Sequence, residues 1–155
     1  MSTPPLRTAA RVIALDEDKR VLLLRYEENG GFWATPGGSL DSGEDHTTAL
    51  HRELREELGI AEGAVHLDAQ IAERSKAHQV GGQEVLQVER YYLARITADD
   101  IDPDRATQPD TIQAHRWWTL DDLRSTSETV YPLGLSDLIT DILTAGVPER
   151  PILLR

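Results

Sequence analysis

The sequence predicts a single α/β domain, residues 1–155, built as a sandwich of strands and helices. Three observations carry that expectation. β-branched and leucine-rich runs alternate with turn signals, two separate stretches place apolar residues at helical spacing, and no repeat, low-complexity tract or Pro/Gly/Ser-rich linker divides the chain. At 155 residues the chain is long enough to bury about two thirds of its unfolded surface without disulfide or metal staples.

Taken in order, residues 9–15 and 20–26 flank the polar turn Asp16-Glu17-Asp18-Lys19 and are expected to pair as a hairpin. Asn29-Gly30-Gly31 leads into a short strand over 32–35, which Pro36-Gly37-Gly38 ends. Residues 45–58 follow a helical pattern, with Gly59 at the C-terminal cap. Two longer strands, 67–79 and 83–96, are joined across Gly81-Gly82, and residues 99–113 form a polar loop with two prolines. A strand follows over 114–119, where the neighbours Trp117 and Trp118 must face opposite sides. A helical turn starts at 120–123, with Asp121 and Asp122 as capping and first-turn acids, and a helix is expected over 133–143. The tail, 148–155, is free either to pack on its own chain or to cross to the partner in a homodimer.

Composition excludes several kinds of function. Without cysteine there is no thiol nucleophile, disulfide framework or Cys-based zinc site, and His46, His51, His66, His78 and His115 show no paired ligand spacing. Residues 1–10 carry Arg7 as their one charge and no apolar core of signal-peptide length. Nowhere do about 18 consecutive apolar residues occur, so a soluble, cytoplasmic protein with no membrane partner is expected. Acidic residues outnumber basic ones 27 to 16, and the formal charge of −11 repels the backbone of long nucleic acids. A nucleotide-sized anion held through a divalent cation is still compatible with that charge.

The segment from Gly38 to Ile60 carries the chemistry. Gly38 is followed by Glu44 and then by Arg52-Glu53-Leu54-Arg55-Glu56-Glu57-Leu58-Gly59-Ile60. On a helix, Glu56 lies about 60° to one side of Glu53 and Glu57 about 40° to the other, so three carboxylates share a face. Like charges at this spacing cost a few tenths of a kcal/mol per pair, roughly, unless a cation neutralises them, and dense hard oxygen ligands suit Mg²⁺ or Mn²⁺. Leu50, Leu54 and Leu58 form the apolar stripe that anchors the helix, and Ala49 falls within the acidic sector, leaving room for a metal or phosphate. Gly37-Gly38 can bring a backbone carbonyl close to a cation where larger residues would obstruct it.

At typical residue frequencies of about 5–10%, so many fixed positions coincide by chance roughly once in a billion starting points. The segment resembles the signature of the Nudix hydrolases, which cleave a nucleoside diphosphate linked to another group, and it matches that signature without departure. The resemblance implies a Nudix-type α/β/α sandwich with a mixed β-sheet and a loop-helix catalytic element. It implies hydrolysis of a phosphoanhydride bond in a small nucleotide-derived substrate, with Mg²⁺ or Mn²⁺ as cofactor. Carried over, Glu53 and Glu57 are the principal metal ligands, Glu56 shares the coordination, and the carbonyl of Gly37 or Gly38 joins them. Glu44 and Arg52 orient the ligands.

Such families often recruit a general base outside the helix, and Glu89 is the leading candidate. The period of two puts Gln87, Glu89 and Tyr91 on one strand face and Arg90 on the other. Glu128 is the alternative. Arg25 and Arg90 are candidates for substrate phosphates, and Trp33 for stacking on a base, although core packing is the simpler use of all three tryptophans. The proline and tyrosine that mark ADP-ribose and dinucleoside polyphosphate hydrolases after the signature are absent from Arg74-Ser75-Lys76-Ala77-His78. Oxidised nucleoside triphosphates, nucleotide sugars and RNA 5′ ends are left, the last disfavoured by charge. The competing reading is a noncatalytic module of the same fold that senses a nucleotide or mediates contacts, for which a degraded signature would be expected.

Overall fold

The structure, a computed structural model, describes residues 4–107 and 112–155. Its organising strand is β1 (Leu6–Leu15), whose second half, Ala9-Ala10-Arg11-Val12-Ile13-Ala14-Leu15, is nearly continuous in apolar residues, as suits a strand covered on both faces. Along one edge it runs parallel to β6 (Gln83–Arg95), from Leu6↔Leu86 to Leu15↔Arg95. Its other edge is taken by β4 (Gly37–Ser39), antiparallel through Arg11↔Gly37. β2 (Val21–Tyr26) meets β1 at Leu15↔Val21 and then turns away to pair with β3 (Phe32–Ala34) and β7 (Ile112–Trp118). The expected hairpin of 9–15 with 20–26 is therefore a corner, because β4 occupies the edge that β2 would need.

Residues 36–38, read as a strand end, instead lead into β4. Gly37 makes this possible: at φ +136, a Cβ there would collide with the Ala10 carbonyl, so a larger residue could not lie against β1. β5 (His66–Val80) and β6 form the expected hairpin, with Val80↔Gln83 flanking the two glycines. β8 (Val130–Tyr131) adds to β3, and β9 (Ile152–Leu154) adds parallel to β5, so the tail packs on its own chain. One mixed sheet results, with wings β4-β1-β6-β5-β9 and β8-β3-β2-β7.

α1 (His46–Leu58) covers one sheet face. Asp45 caps its start by accepting from Thr48 N at 2.8 Å, and Gly59 closes it at φ 66. Leu50, Leu54 and Leu58 are buried against Val12, Leu22, Leu24 and Ile96, roughly 1.5–3 kcal/mol each before the entropy of ordering is subtracted. Ala49 is also fully buried there, so it packs in the core instead of opening space beside the glutamates. α2 (Leu120–Ser125) starts with a capping box of Thr119 and Asp122. α3 (Leu135–Ala145) begins two residues later than expected, because Gly134 stands at φ 79. It covers the opposite face, with Leu138 and Ile139 against Ile13, Leu23 and Trp118. Trp117 belongs to the α1 layer and Trp118 to the α3 layer, as their adjacency requires.

The polar loop contains single helical turns at Ala98–Asp100 and Pro103–Arg105, and β7 already starts at Ile112; residues 108–111 of the expected loop lie outside the described residues. Asp102 N donates to Leu58 O at 3.0 Å and Thr107 N to Glu56 O at 2.9 Å, which satisfies carbonyls at the end of α1. Among the described residues, no helix is long and apolar enough to cross a membrane.

Candidate active site

The two glycines between β3 and α1 touch the helix acids directly. Gly37 N donates to Glu57 Oε1 at 3.1 Å. A Cβ on Gly38 would lie 2.6 Å from Glu53 Oε1, so the glutamate occupies the space a side chain would fill. Tyr26 directs its hydroxyl at Glu57 Oε2, 3.4 Å away. Burial, followed by the neighbouring Glu53, pushes the Glu57 carboxyl up to about 8, and burial also raises Glu53.

Arg52 organises the outer side of the cluster. Its Nε and Nη2 grip Glu44 at 2.7 and 2.9 Å, Nη2 also reaches Ser39 O, and Nη1 donates to Glu53 Oε1 at 3.0 Å and Glu56 Oε2 at 3.1 Å. Glu44 in turn accepts from Asp41 N at 2.8 Å. Hydrogen bonds from Arg52, then the one from Asp41, hold the Glu44 carboxyl below the usual range. Arg52 thus ties Glu44 to Glu53 and Glu56.

Among the described residues, no three acidic or histidine side chains converge on one point. Glu53 and Glu56 turn toward Arg52, and Glu57 toward Gly37. The donor set nevertheless fits a hard divalent cation: carboxylate oxygens at i, i+3 and i+4 on one face, two of them raised in pKa chiefly by burial, beside a glycine cradle with backbone carbonyls.

Glu89 is buried, 6% exposed, and shares its strand face with Tyr91 as expected. Arg11 Nε binds its Oε2 at 3.0 Å and Arg74 Nη1 its Oε1 at 2.9 Å. Burial alone would push this carboxyl up, but the two guanidiniums outweigh it and hold the carboxyl below the usual range. Arg11 extends to the loop, where its Nη1 donates to Gly37 O at 3.1 Å. Glu89 is thus connected to the helix acids through Arg11 and not by direct contact. Sequence reasoning missed Arg11, although a charge inside an apolar strand signals a paired and buried ion. It also missed Arg74, which the hairpin across Gly81-Gly82 places opposite Glu89, and Tyr26, whose surroundings in sequence give no such signal.

Other expected substrate contacts are not gathered at this face. Side-chain alternation along β2 puts Leu22, Leu24 and Tyr26 on the α1 side and Leu23 and Arg25 on the other. Arg25 pairs with Glu128 at 3.0 Å and lies 5.8 Å from the centre of the Trp33 ring. Trp33 is buried edge-on against Trp118, so it is a core residue and not an open stacking platform. Arg90 is half-exposed and pairs with Glu73 at 3.5 Å.

The family model described as "NUDIX domain" matches residues 5–134. The chain belongs to the Nudix family. Its enzyme class is accordingly that of the Nudix pyrophosphohydrolases, which act on acid anhydrides. This Nudix chain is 32% identical over 128 residues to an RNA pyrophosphohydrolase of Sphingopyxis alaskensis, covering 77% of the chain and 81% of the relative. It is 29% identical over 125 residues to the RNA pyrophosphohydrolase of Rhodospirillum rubrum, with 77% and 76% covered. Among solved structures, the C. elegans Ap4A hydrolase has the same fold at TM-score 0.65 and 20% identity, covering 89% of this chain and 96% of that one. The α/β/α sandwich and mixed sheet expected from the sequence are those of the family.

Proposed function

We propose that the protein hydrolyses a phosphoanhydride bond in a small nucleoside diphosphate derivative with Mg²⁺ or Mn²⁺ as cofactor. The observation that carries this reading is the contact of both loop glycines with the helix acids, Gly37 on Glu57 and Gly38 on Glu53. Glu53, Glu56, Glu57 and the Gly37 carbonyl would hold the cation, with Gly38, Glu44 and Arg52 fixing their geometry. A divalent ion there would screen the phosphoryl oxygens and lower the pKa of a bound water. Glu89 is kept ionised by Arg11 and Arg74, and each of its oxygens retains a further lone pair, so it remains able to accept a proton from the attacking water. Arg11 carries positive charge toward the glycine loop, where a substrate phosphate would add negative charge.

A product-resolved screen of nucleotide derivatives with Mg²⁺ or Mn²⁺, run beside Glu57→Gln, tests the reading. Turnover should fall by about 100-fold or more in the variant while the fold survives. Equal activity in the variant would remove the ligand assignment, and no metal-dependent turnover of any substrate would favour the noncatalytic module. A second reading, removal of pyrophosphate from RNA 5′ ends, is favoured by the names of the relatives and opposed by the net charge of −11. A 5′-triphosphorylated oligonucleotide in the same screen decides between the two.

A further inference from the structure

Arg74 connects the candidate site to a part of the chain that the proposed chemistry does not otherwise use. Its Nη1 holds Glu89 at 2.9 Å, while its Nε donates to the main-chain carbonyl of Arg155 at 2.8 Å. β9 brings that carbonyl into place by pairing parallel to β5, with Leu154 opposite Arg74. Ile152 and Leu154 pack on the core of the α3 layer, whereas Leu153 is 79% exposed. The segment lies beyond the matched family region, which ends at residue 134.

A guanidinium commonly grips a carboxylate with two nitrogens of its fork. Here the tail takes Nε, so Arg74 delivers Nη1 to one oxygen of Glu89 and leaves the other to Arg11. Arg11 Nη1 continues to the Gly37 carbonyl at 3.1 Å. The contacts form an unbroken path from the Arg155 carbonyl through Arg74, Glu89 and Arg11 to the glycine loop. We propose that residues 152–155 are a positioning element of the active site, fixing Arg74 and through it the orientation of Glu89 and the Gly37 carbonyl. This rests on the roles given above to Glu89 and Gly37.

Four proteins test it: the full chain, a chain ending at Arg150, Arg74→Lys, and the two changes combined. Lysine keeps a charge near Glu89 but cannot bridge it to the tail. Truncation and Arg74→Lys should each lower kcat about tenfold with KM changed less than about twofold, and the combination should be no worse than either alone. A strand that merely adds stability would leave kcat intact below the melting temperature, or its effect would multiply with that of Arg74→Lys. Either result overturns the proposal, as does unchanged kcat in Arg74→Lys, which decides the matter if the truncated chain does not fold. An activity-independent readout is the Arg74 Nε–H signal in ¹⁵N-labelled, metal-free protein. It should exchange slowly with water in the full chain and rapidly after truncation, and equal exchange rates would refute the tail contact. If the full chain shows no metal-dependent hydrolysis at all, the functional reading fails, and the exchange measurement still reports whether the tail holds Arg74.

Discussion

A methyl group added at Gly37 and one added at Gly38 meet different obstacles, and the difference separates folding from catalysis. At Gly37 the new atom meets the main chain of β1 at a φ of +136, and neither can yield. Gly37→Ala should therefore cost about 2–3 kcal/mol or more, seen as a large drop in melting temperature. At Gly38 the obstacle is the carboxyl end of Glu53, 2.6 Å away, which can swing aside. Gly38→Ala should change stability by less than about 1 kcal/mol, yet weaken Mg²⁺ binding and turnover about tenfold or more; a calorimetric Mg²⁺ titration beside a thermal melt checks both. The residue scale also sets a pH dependence. The folded carboxyl of Glu89 lies below its ordinary value of 4.5, so the stability it contributes is present above that value and is lost as pH falls through the folded one. Glu89→Gln should cost roughly 3 kcal/mol at neutral pH, because Arg11 and Arg74 are left facing an amide, and should flatten the loss of stability as pH falls below 4.5. Denaturant titrations at several pH values measure it. The helix acids were legible in the sequence because spacing alone places them on one face. Of the partners of Glu89, Arg11 was not, since it lies 78 residues away on β1, whereas Arg74 stands opposite Glu89 in the expected hairpin and follows from a turn at Gly81-Gly82.

Elements were legible wherever local chemistry decides them. α1 has an acid at its start, leucines every four residues and a glycine at its end, and it runs as those signals dictate. β1 was misjudged because pairing is not local: its sequence reads as a strand but does not say that β6, over 70 residues downstream, takes one edge and a glycine loop the other. The three-residue strands β4 and β9 carry no periodicity long enough to detect, and both matter to the site. Gly59 extends the same argument to the end of α1. It stands at φ 66, and a Cβ there would collide with the carbonyl of Asp102, whose N–H satisfies the last turn of the helix. Gly59→Ala should thus loosen both the cap and the loop that covers it, at a cost of about 2 kcal/mol or more. Glu57 stands in the last turn of α1, yet Gly37 N and the Tyr26 hydroxyl hold its carboxylate from outside the helix, so well below the melting temperature kcat should stay within about twofold. Chemical denaturation together with turnover at low temperature would show whether the two properties separate in this way.

At the scale of the whole molecule, the charge of −11 could be counted from the sequence, but its consequence depends on where the cations go. Arg11, Arg20, Arg25, Arg52, Arg74, Arg90, Arg105 and Arg116 are each paired with a carboxylate, so among the described residues half of the 16 basic side chains have their charge offset before any phosphate backbone arrives. A terminal phosphoanhydride held through a cation at α1 escapes this repulsion, while every further nucleotide of an RNA substrate adds a charge that the surface repels. For 5′-triphosphorylated oligonucleotides of about 2, 5 and 20 nucleotides, kcat/KM should therefore fall with length at 50 mM salt. The spread should narrow at about 200 mM, where screening shortens the reach of the field to below about 10 Å. Nucleotide-sized substrates should respond less to salt than the longest RNA. The opposite trend, efficiency rising with length and falling with salt, would require a protein face that gathers cations around the RNA body. It would align the substrate of this chain with the names of its RNA pyrophosphohydrolase relatives.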